Sequence, residues 1–544
     1  MRKPEEILRA LLEMRGISSD EDVSEFLSDK PKKTYDPFLL LNMEAGVDLL
    51  LSEIKKGTKI CIYGDYDADG VTSICILSHV LGMITDNFTY YIPSRFDEGY
   101  GLNKNAVRKI YEDGTGLLVT VDCGSVSYEE VEYAKELGMK VIVTDHHSID
   151  SIRADCILIN PKQKECRYPF KELAGCGVAF KLAQAVLLKA GLPRSAVNDV
   201  LDMAAIGTVG DVVSLTDENR TIVKYGLNRI NTGARESLKK LCEAISLKRI
   251  TSENIAFGIA PHINAAGRMA DAGEAVELFT AEDKAVIDKK VERLVFYNSL
   301  RKKKQEDAYN QGINMLTGDE KLIVLYMENI HEGIGGIVAG KIRESAERPV
   351  IIVTPAGEEH LKGTGRSTDK IDIYELLKSH GELFERFGGH RSACGFLMKK
   401  ENLAALRAAL DEDIDRMLSA DKKLFDREHI WDMELEPGEI TAGLVNELMR
   451  LEPVGQGNTR PVFLLRGVCP EHLRFMGADS THAGFTAVSP AGDRLECVLF
   501  RKAQEVKNLL LCGKPVNIAG TAGKQSWNGR ERIQFIVEEI TLCR

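Results

Sequence analysis

The twelve cysteines of this 544-residue chain never form a Cys-x-x-Cys pair, which argues against both a thiolate zinc site and a disulfide framework. Several, such as Cys61, Cys75 and Cys497, sit inside apolar runs, where a reduced thiol packs as a small hydrophobe. Long apolar runs are also missing. The longest, such as Lys140-Val-Ile-Val-Thr144 and Val350-Ile-Ile-Val353, fall far short of the ~20 residues a membrane-spanning helix needs. Low-complexity segments and internal repeats are absent, and the opening Met1-Arg-Lys-Pro-Glu-Glu-Ile-Leu-Arg9 carries no apolar stretch of a secretory signal. A soluble, cytoplasmic protein is therefore expected. Positive charge is in deficit: 71 Lys+Arg face 82 Asp+Glu, a net charge of −11, which at first sight argues against nucleic acid as a partner. The deficit is uneven, because residues 455–544 hold 12 basic and 8 acidic side chains.

What is present is enough apolar residue, 44% of the chain, to rule out wholesale disorder. At roughly 150 residues per domain the length allows about three or four domains. Residues 1–50 carry short amphipathic helical patterns, with Ile7, Leu8, Leu11 and Leu12 on one face. Short β-branched runs follow at 59–63, 88–92, 117–121, 140–144 and 156–159, alternating with helix-length segments such as 71–83 and 128–137. That alternation predicts an α/β fold with a mostly parallel sheet covered on both faces, over residues 51–272. Ligands of such sheets sit at the carboxyl ends of the strands. Residues 273–316 read as one long connecting helix, on which Arg301-Lys-Lys-Lys304 is taken as a solvated face in preference to a nucleic-acid patch. A second α/β unit spans 317–425. From 426 to 544, short strand-like runs and glycine turns suggest a small β-barrel.

The strongest signal is a set of acidic and histidine residues at four successive strand ends. These are Gly64-Asp65-Tyr66-Asp67-Ala68-Asp69-Gly70, Asp122-Cys-Gly124, Asp145-His146-His147 and Gly207-Thr-Val-Gly-Asp211. Strand ends converge on one rim, so these groups can meet although they span nearly the whole first domain. Asp65, Asp67 and Asp69 share a direction only in extended backbone, so some of the three must support ligands instead of being ligands. Crowded carboxylates repel and raise one another's pKa unless cations neutralise them. Hard oxygen donors with one or two imidazoles suit two Mn²⁺ or Mg²⁺ ions, and such a pair points to phosphate-ester hydrolysis. Taken singly, each Asp could be no more than a turn former or helix N-cap; four such motifs together argue for the site.

Asp145-His146-His147 together with Asp65-x-Asp67-x-Asp69, Asp122 and Asp211 resembles the DHH phosphoesterase superfamily, and within it the branch of single-stranded-DNA-specific 5′ to 3′ exonucleases. Tyr63–Thr72, Pro93–Gly101, Ile263-Asn-Ala-Ala-Gly-Arg268 and Leu451-Glu-Pro-Val-Gly-Gln-Gly-Asn458 carry the likeness more specifically than the Asp-His-His tripeptide. His331–Gly340, Gly363-Thr364-Gly-Arg366-Ser367 and Phe387–Phe396 resemble a DHHA1 domain, and the C-terminal region resembles an OB-type barrel. The resemblance implies Asp67, Asp69, Asp122, His146 and Asp211 as metal ligands, and Asp65, Asp145 and His147 as further catalytic groups. It implies Arg95, Arg268, Arg366, Thr364 and His390 at the substrate's phosphates, with the glycine-rich turns approaching phosphate and sugar. Trp527, in a polar turn-like stretch, is a candidate for stacking on a base. The cofactors implied are two Mn²⁺ or Mg²⁺ ions. The partners implied are single-stranded DNA and, beyond it, a helicase and a single-strand-binding protein, with a role in DNA repair and recombination. The rival activities are a DHH phosphodiesterase for short oligoribonucleotides or cyclic dinucleotides, and a non-catalytic binding scaffold. Two departures from the pattern involve three positions. Tyr63 stands where relatives often have a histidine ligand, which raises the question of a weaker metal site, and Val454 and Thr459 replace the usual Phe and Pro.

Overall fold

The computed structural model describes residues 1–96, 98–99, 101–149, 152–426, 431–477, 479–527 and 530–543; the side chains of 526, 527, 530 and 531 lie outside the description. Strands β1 (Ile60–Gly64), β2 (Phe88–Tyr91), β3 (Leu117–Val121), β4 (Lys140–Thr144) and β5 (Ile157–Ile159) form one parallel sheet in the order β2-β1-β3-β4-β5. Alternate residues enter two cores, as the period of a strand requires. Ile60, Ile62, Val119 and Ile142 pack under the helices Met43–Lys55, Ala68–Leu81 and Gly175–Lys189. Cys61, Tyr63, Leu118 and Val143 pack under Lys104–Glu112 and Tyr128–Glu136. The strand order reverses between β1 and β3, so the crevice at their carboxyl ends is where a ligand belongs.

The helix read over 273–316 is divided into Gly273–Thr280 and Lys284–Asn314. Ala281 is extended, and Asp283 starts the second helix by accepting hydrogen bonds from the amides of Ala285 and Val286. Asp211 does not end a strand; it caps the C-terminus of the helix Leu201–Gly210.

The second unit has strands β6 (Ile323–Tyr326), β7 (Val350–Ala356), β8 (His360–Arg366), β9 (Phe384–His390) and β10 (Ala393–Lys399), in the order β6-β7-β8-β10-β9. Only β6 and β7 pair in parallel. The glycines of Gly363-Thr-Gly365 are not in a turn but inside β8, where a Cβ would meet the Phe396 ring at 2.0 Å and Cys394 Sγ at 2.5 Å. They serve packing between strands, not approach to a phosphate.

In the C-terminal unit, β11 (Met433–Glu434), β12 (Phe463–Met476), β13 (His482–Val488), β14 (Arg494–Leu499), β15 (Val516–Trp527) and β16 (Arg530–Leu542) run in the order β11-β12-β13-β14-β16-β15. Pairing of β12 with β15 closes five of them into an OB-like barrel. Phe463, Phe485 and Phe535 fill it. The N-terminal helix Pro4–Met14 docks on this unit: Ile7 and Leu11 join the barrel core, while Leu8 and Leu12 pack with Leu451 and Val454.

Candidate active site

The site is assembled at the carboxyl edge of the parallel sheet. Asp65 follows β1, and its Oδ1 is buried without a hydrogen-bond partner. Two residues on, Asp67 is the N-cap of Ala68–Leu81, its Oδ1 accepting from the amides of Asp69 and Gly70 at 2.9 and 3.1 Å. Asp69 points the other way and accepts from the amides of Gly175 and Cys176, both at 2.7 Å, at the start of the helix Gly175–Lys189. Asp122 ends β3 in left-handed backbone, φ 61°, which turns its carboxylate back over the crevice. Gly175 has to be glycine because a Cβ there would lie 2.4 Å from Asp122 Oδ1.

His146 draws three of these groups together: its Nε2 is 3.2 Å from Asp122 Oδ1, 3.6 Å from Asp211 Oδ2 and 3.8 Å from Asp69 Oδ2. Neither ring nitrogen has a hydrogen-bond partner, although both are buried. Ligand atoms of Asp69, His146 and Asp211 lie within 4.8 Å of one another, as do those of Asp65, Asp67 and Asp122. Two donor groups thus lie side by side, linked by Asp122.

The electrostatics match a site built for cations. Burial first, and then mutual repulsion, raise the carboxyls of Asp69, Asp122 and Asp211 above the ordinary range, and Asp65 goes up to about 8. Burial lowers His146 to about 4, so its imidazole is neutral and keeps a lone pair for a metal. Buried carboxylate and imidazole atoms without protein partners are what divalent ions of the Mn²⁺ or Mg²⁺ kind would satisfy.

Asp145 is different in kind. Its Oδ1 accepts from the amides of His146 (2.7 Å) and His147 (3.1 Å) and from His147 Nδ1 (2.7 Å), and its Oδ2 accepts from the Ser125 amide at 2.9 Å. Burial pushes this carboxyl up, but the His147 contact outweighs it and holds Asp145 below its usual value. His147 is raised in turn: partial burial opposes its charge, and Asp145 more than restores it. Asp145 therefore positions and charges His147 at the mouth of the crevice.

Arg95 and Arg268 are the cations whose charges reach this centre, through Asp65 and Asp67. The Arg95 guanidinium lies 3.9 Å over the Tyr66 ring, with its Nε buried and unpartnered. Arg268 donates to the Gly333 carbonyl of the second unit at 3.0 Å; burial first, and Arg95 next, lower it to about 9. Arg366 donates to the Gly365 carbonyl at 2.7 Å, and a Cβ on Gly336, at the start of the helix Gly335–Ala346, would lie 2.7 Å from its Nη2. Thr364 shares that face of β8 and lies beside Gly336. His390, at the end of β9, is exposed and hydrogen-bonds Ser392 at 3.1 Å. No described contact joins it to the other four. Trp527 lies outside the residues whose side chains are described.

Tyr63 sits away from the carboxylates. Its ring stacks on Tyr91 at 5.6 Å in the opposite core and its hydroxyl donates to the Gly101 carbonyl at 2.8 Å, so Asp65 and Asp67 form their group without it. Three contributors escaped the sequence reading. Gly175-Cys176 holds Asp69, and Asn264 accepts from the Ala68 amide at 2.6 Å. Lys362, two positions before Thr364 on β8, is lowered by burial and then by the charge of Arg95, and it pairs with Glu332. The Gly-Cys-Gly at a helix start was the available signal for the first, and the Ile263–Arg268 motif for Asn264; Lys362 carries no local mark.

Family models match the chain in three places: the DHH family, N-terminal domain, at residues 59–208; the DHHA1 domain at 319–416; and the RecJ OB domain at 431–539. The chain is 36% identical over 548 residues to the single-stranded-DNA-specific exonuclease RecJ of Bacillus subtilis (strain 168), covering 98% of this chain and 68% of that protein. With the protein of the same name from Escherichia coli (strain K12) it is 33% identical over 490 residues, 84% of this chain and 82% of the other. The crystal structure of RecJ in complex with Mn²⁺ from Thermus thermophilus superposes with a TM-score of 0.84 at 30% identity, covering 99% of this chain and 76% of that one. Sharing all three domains and at least 30% identity over most of these proteins, the chain belongs to the RecJ family of DHH phosphoesterases.

Proposed function

We propose that this protein is a metal-dependent exonuclease that hydrolyses single-stranded DNA from the 5′ end to 5′-mononucleotides. The observation that carries the reading is the pair of buried donor groups joined at Asp122, in a chain that shares its full architecture with RecJ. Asp67, Asp69, Asp122, His146 and Asp211, with Asp65, are the residues that would hold two Mn²⁺ or Mg²⁺ ions. When bound, such ions supply an activated water and neutralise the phosphate and leaving-group charge. The chain's own side chains do the rest. His147, held by Asp145, presents a positive imidazole to the scissile phosphate. Arg95 and Arg268, neither of them in a described ion pair, and Arg366 with Thr364 hold the 5′-terminal phosphate and its neighbour by forked contacts. His390 approaches from β9. The water oxygen adds to the phosphorus between the first two nucleotides, the P–O3′ bond breaks, O3′ leaves with a proton, and the shortened strand keeps a 5′ phosphate.

The appended barrel favours this reading over a phosphodiesterase for short oligonucleotides, which has no use for a strand guide, and the retained carboxylates and His146 argue against a non-catalytic scaffold. Among the described residues no helix is long and apolar enough to cross a membrane. A cytoplasmic role in DNA repair and recombination, beside a helicase and a single-strand-binding protein, follows from the same reading, as does stacking of a base on Trp527.

The test is digestion of end-labelled single strands, DNA and RNA in parallel, with Mn²⁺, with Mg²⁺ and with EDTA. A 5′ label should leave at once as mononucleotide, EDTA should stop the reaction, and blunt duplex should resist. Release from the 3′ end first, or hydrolysis indifferent to EDTA, would sink the reading.

A further inference from the structure

The basic run Arg301-Lys-Lys-Lys304, read in sequence as a solvated face, is not uniform in the structure. Lys302 and Lys303 are exposed. Arg301 instead falls on the inward stripe of Lys284–Asn314, seven residues after Leu294 and seven before Ala308. Leu294 belongs to the core of the first α/β unit and Ala308 to that of the second, so Arg301 stands where the helix passes from one to the other.

Its guanidinium is aimed by a fixed relay. His262 Nδ1 donates to the Gly258 carbonyl at 2.7 Å, which leaves Nε2 to accept from Asn298 Nδ2 at 2.9 Å. Asn298, 2% exposed, accepts in turn from Arg301 Nε at 3.0 Å, and Gln305 Oε1 accepts from Nη1 at 3.0 Å. Among the described residues no carboxylate pairs with Arg301. Its charge acts on Arg268, which also feels Arg95. Guanidiniums gathered in a half-buried cleft repel one another until an anion arrives, and neutral relays hold them without quenching their charge.

We propose that Arg301 binds a backbone phosphate of the single strand, next to those held by Arg95 and Arg268, with Asn298 and His262 as its positioning residues. The proposal rests on the nuclease reading above. A planar fork fixed at Nε by an amide still offers its Nη atoms to a phosphate oxygen, whereas a lysine at 301 could make only a point contact.

The experiment uses the full chain and a 5′-phosphorylated oligodeoxynucleotide. Binding is followed by fluorescence anisotropy in EDTA over a range of salt, and degradation is followed with Mn²⁺. Arg301→Gln should weaken binding on the order of tenfold, the effect of losing a charge-assisted contact. The slope of log Kd against log salt should fall by about 0.7, the value for one phosphate contact on a single strand. Arg301→Lys should keep most of the slope and lose affinity. Asn298→Asp, which sets a carboxylate on the same Nε, should flatten the slope with Arg301 still present, and it stands in if Arg301→Gln fails to fold. Lys303→Gln should match wild type. Wild-type slope in both Arg301→Gln and Asn298→Asp, or an equal loss in Lys303→Gln, would overturn the assignment. If wild type degrades strands normally in that event, the nuclease reading survives; if wild type binds no strand, both readings fall.

Discussion

His146 and His147 are adjacent in sequence and opposite in electrostatics, and the difference lies in what each ring nitrogen meets. Both His146 nitrogens are buried without a hydrogen-bond partner, and Nε2 faces carboxylate oxygens at 3.2 to 3.8 Å. The His147 ring is pinned through Nδ1 to Asp145 at 2.7 Å. One imidazole is held neutral and the other positive, which suits the metal-binding role proposed for His146 and the phosphate-facing role proposed for His147. Removing His146 or Asp122 should therefore abolish chemistry while sparing binding. For His146→Ala and Asp122→Ala we expect nucleotide release to fall on the order of 10³-fold or more, since each removes a ligand from a site where the metals carry the chemistry. Binding of a 5′-phosphorylated single strand in EDTA should stay near wild type, because the arginines are untouched. Release and binding are measured on the same preparations; undiminished hydrolysis would remove these residues from the metal site.

The N-terminal helix shows how an element can be legible while its place is not. Its apolar stripe of Ile7, Leu8, Leu11 and Leu12 is plain in the sequence, but what it covers lies more than 400 residues away, and no local pattern reveals such a contact. Arg2 secures it by a forked pair to Glu439, 437 positions on, with both contacts at 3.0 Å. The hydrogen bond from Arg2 outweighs burial and holds the Glu439 carboxyl down to about 2, against an ordinary 4.5. A carboxyl lowered on folding stabilises the fold above its ordinary value and ceases to do so as pH falls through the lowered one. Glu439→Gln should therefore melt below wild type at neutral pH, by about 1 kcal/mol once the half-exposed Arg2 is allowed for. The gap should close between pH 4.5 and about 2; thermal melts across that range check it, and a constant gap would remove the pair from the stability of this contact. The same contrast between local and distant signal explains the rest of the legibility. All five strands of the first sheet stand where β-branched runs place them, because each run carries its own pattern. The break at Ala281 was missed because apolar spacing continues across it, and Asp211 was put on a strand because Gly-Thr-Val-Gly reads as extended until the helix around it is seen. Gly363 and Gly365 looked like loop glycines because Phe396, the ring they make room for, is remote in sequence.

Across the whole molecule, the acidic net charge and the proposed substrate are reconciled by where the charges sit. The net charge of −11 includes carboxylates set around the candidate metal site, while residues 455–544 are basic, with 12 Lys+Arg against 8 Asp+Glu. A strand can then be drawn along the barrel into the cleft only if the barrel is held in register with the first domain. Arg220 is the residue placed to do that. It is 3% exposed and donates to the carbonyls of Phe26 (3.0 Å), Leu451 (3.0 Å), Glu452 (3.0 Å) and Pro453 (3.2 Å). One guanidinium thus ties the catalytic unit to both the N-terminal segment and the approach to the barrel. Ser252 adds hydrogen bonds from its amide to Glu452 Oε1 at 2.7 Å and from its hydroxyl to the Val454 carbonyl at 2.6 Å. The segment Leu451–Asn458, conspicuous in sequence, is therefore a fastening between domains. Cutting Arg220→Ala leaves several buried carbonyls unpaired and should cost on the order of 3 kcal/mol, borne at the junction and not at the catalytic centre. We expect this variant to hydrolyse an oligonucleotide short enough to fill the cleft alone at close to the wild-type rate. On a long single strand it should lose rate and release the strand after fewer turnovers. Denaturation should split into two transitions where wild type shows one. Length-series kinetics and a urea melt decide the matter: an equal loss on short and long strands would mean that the fastening supports the catalytic fold alone and that the barrel guides nothing into it.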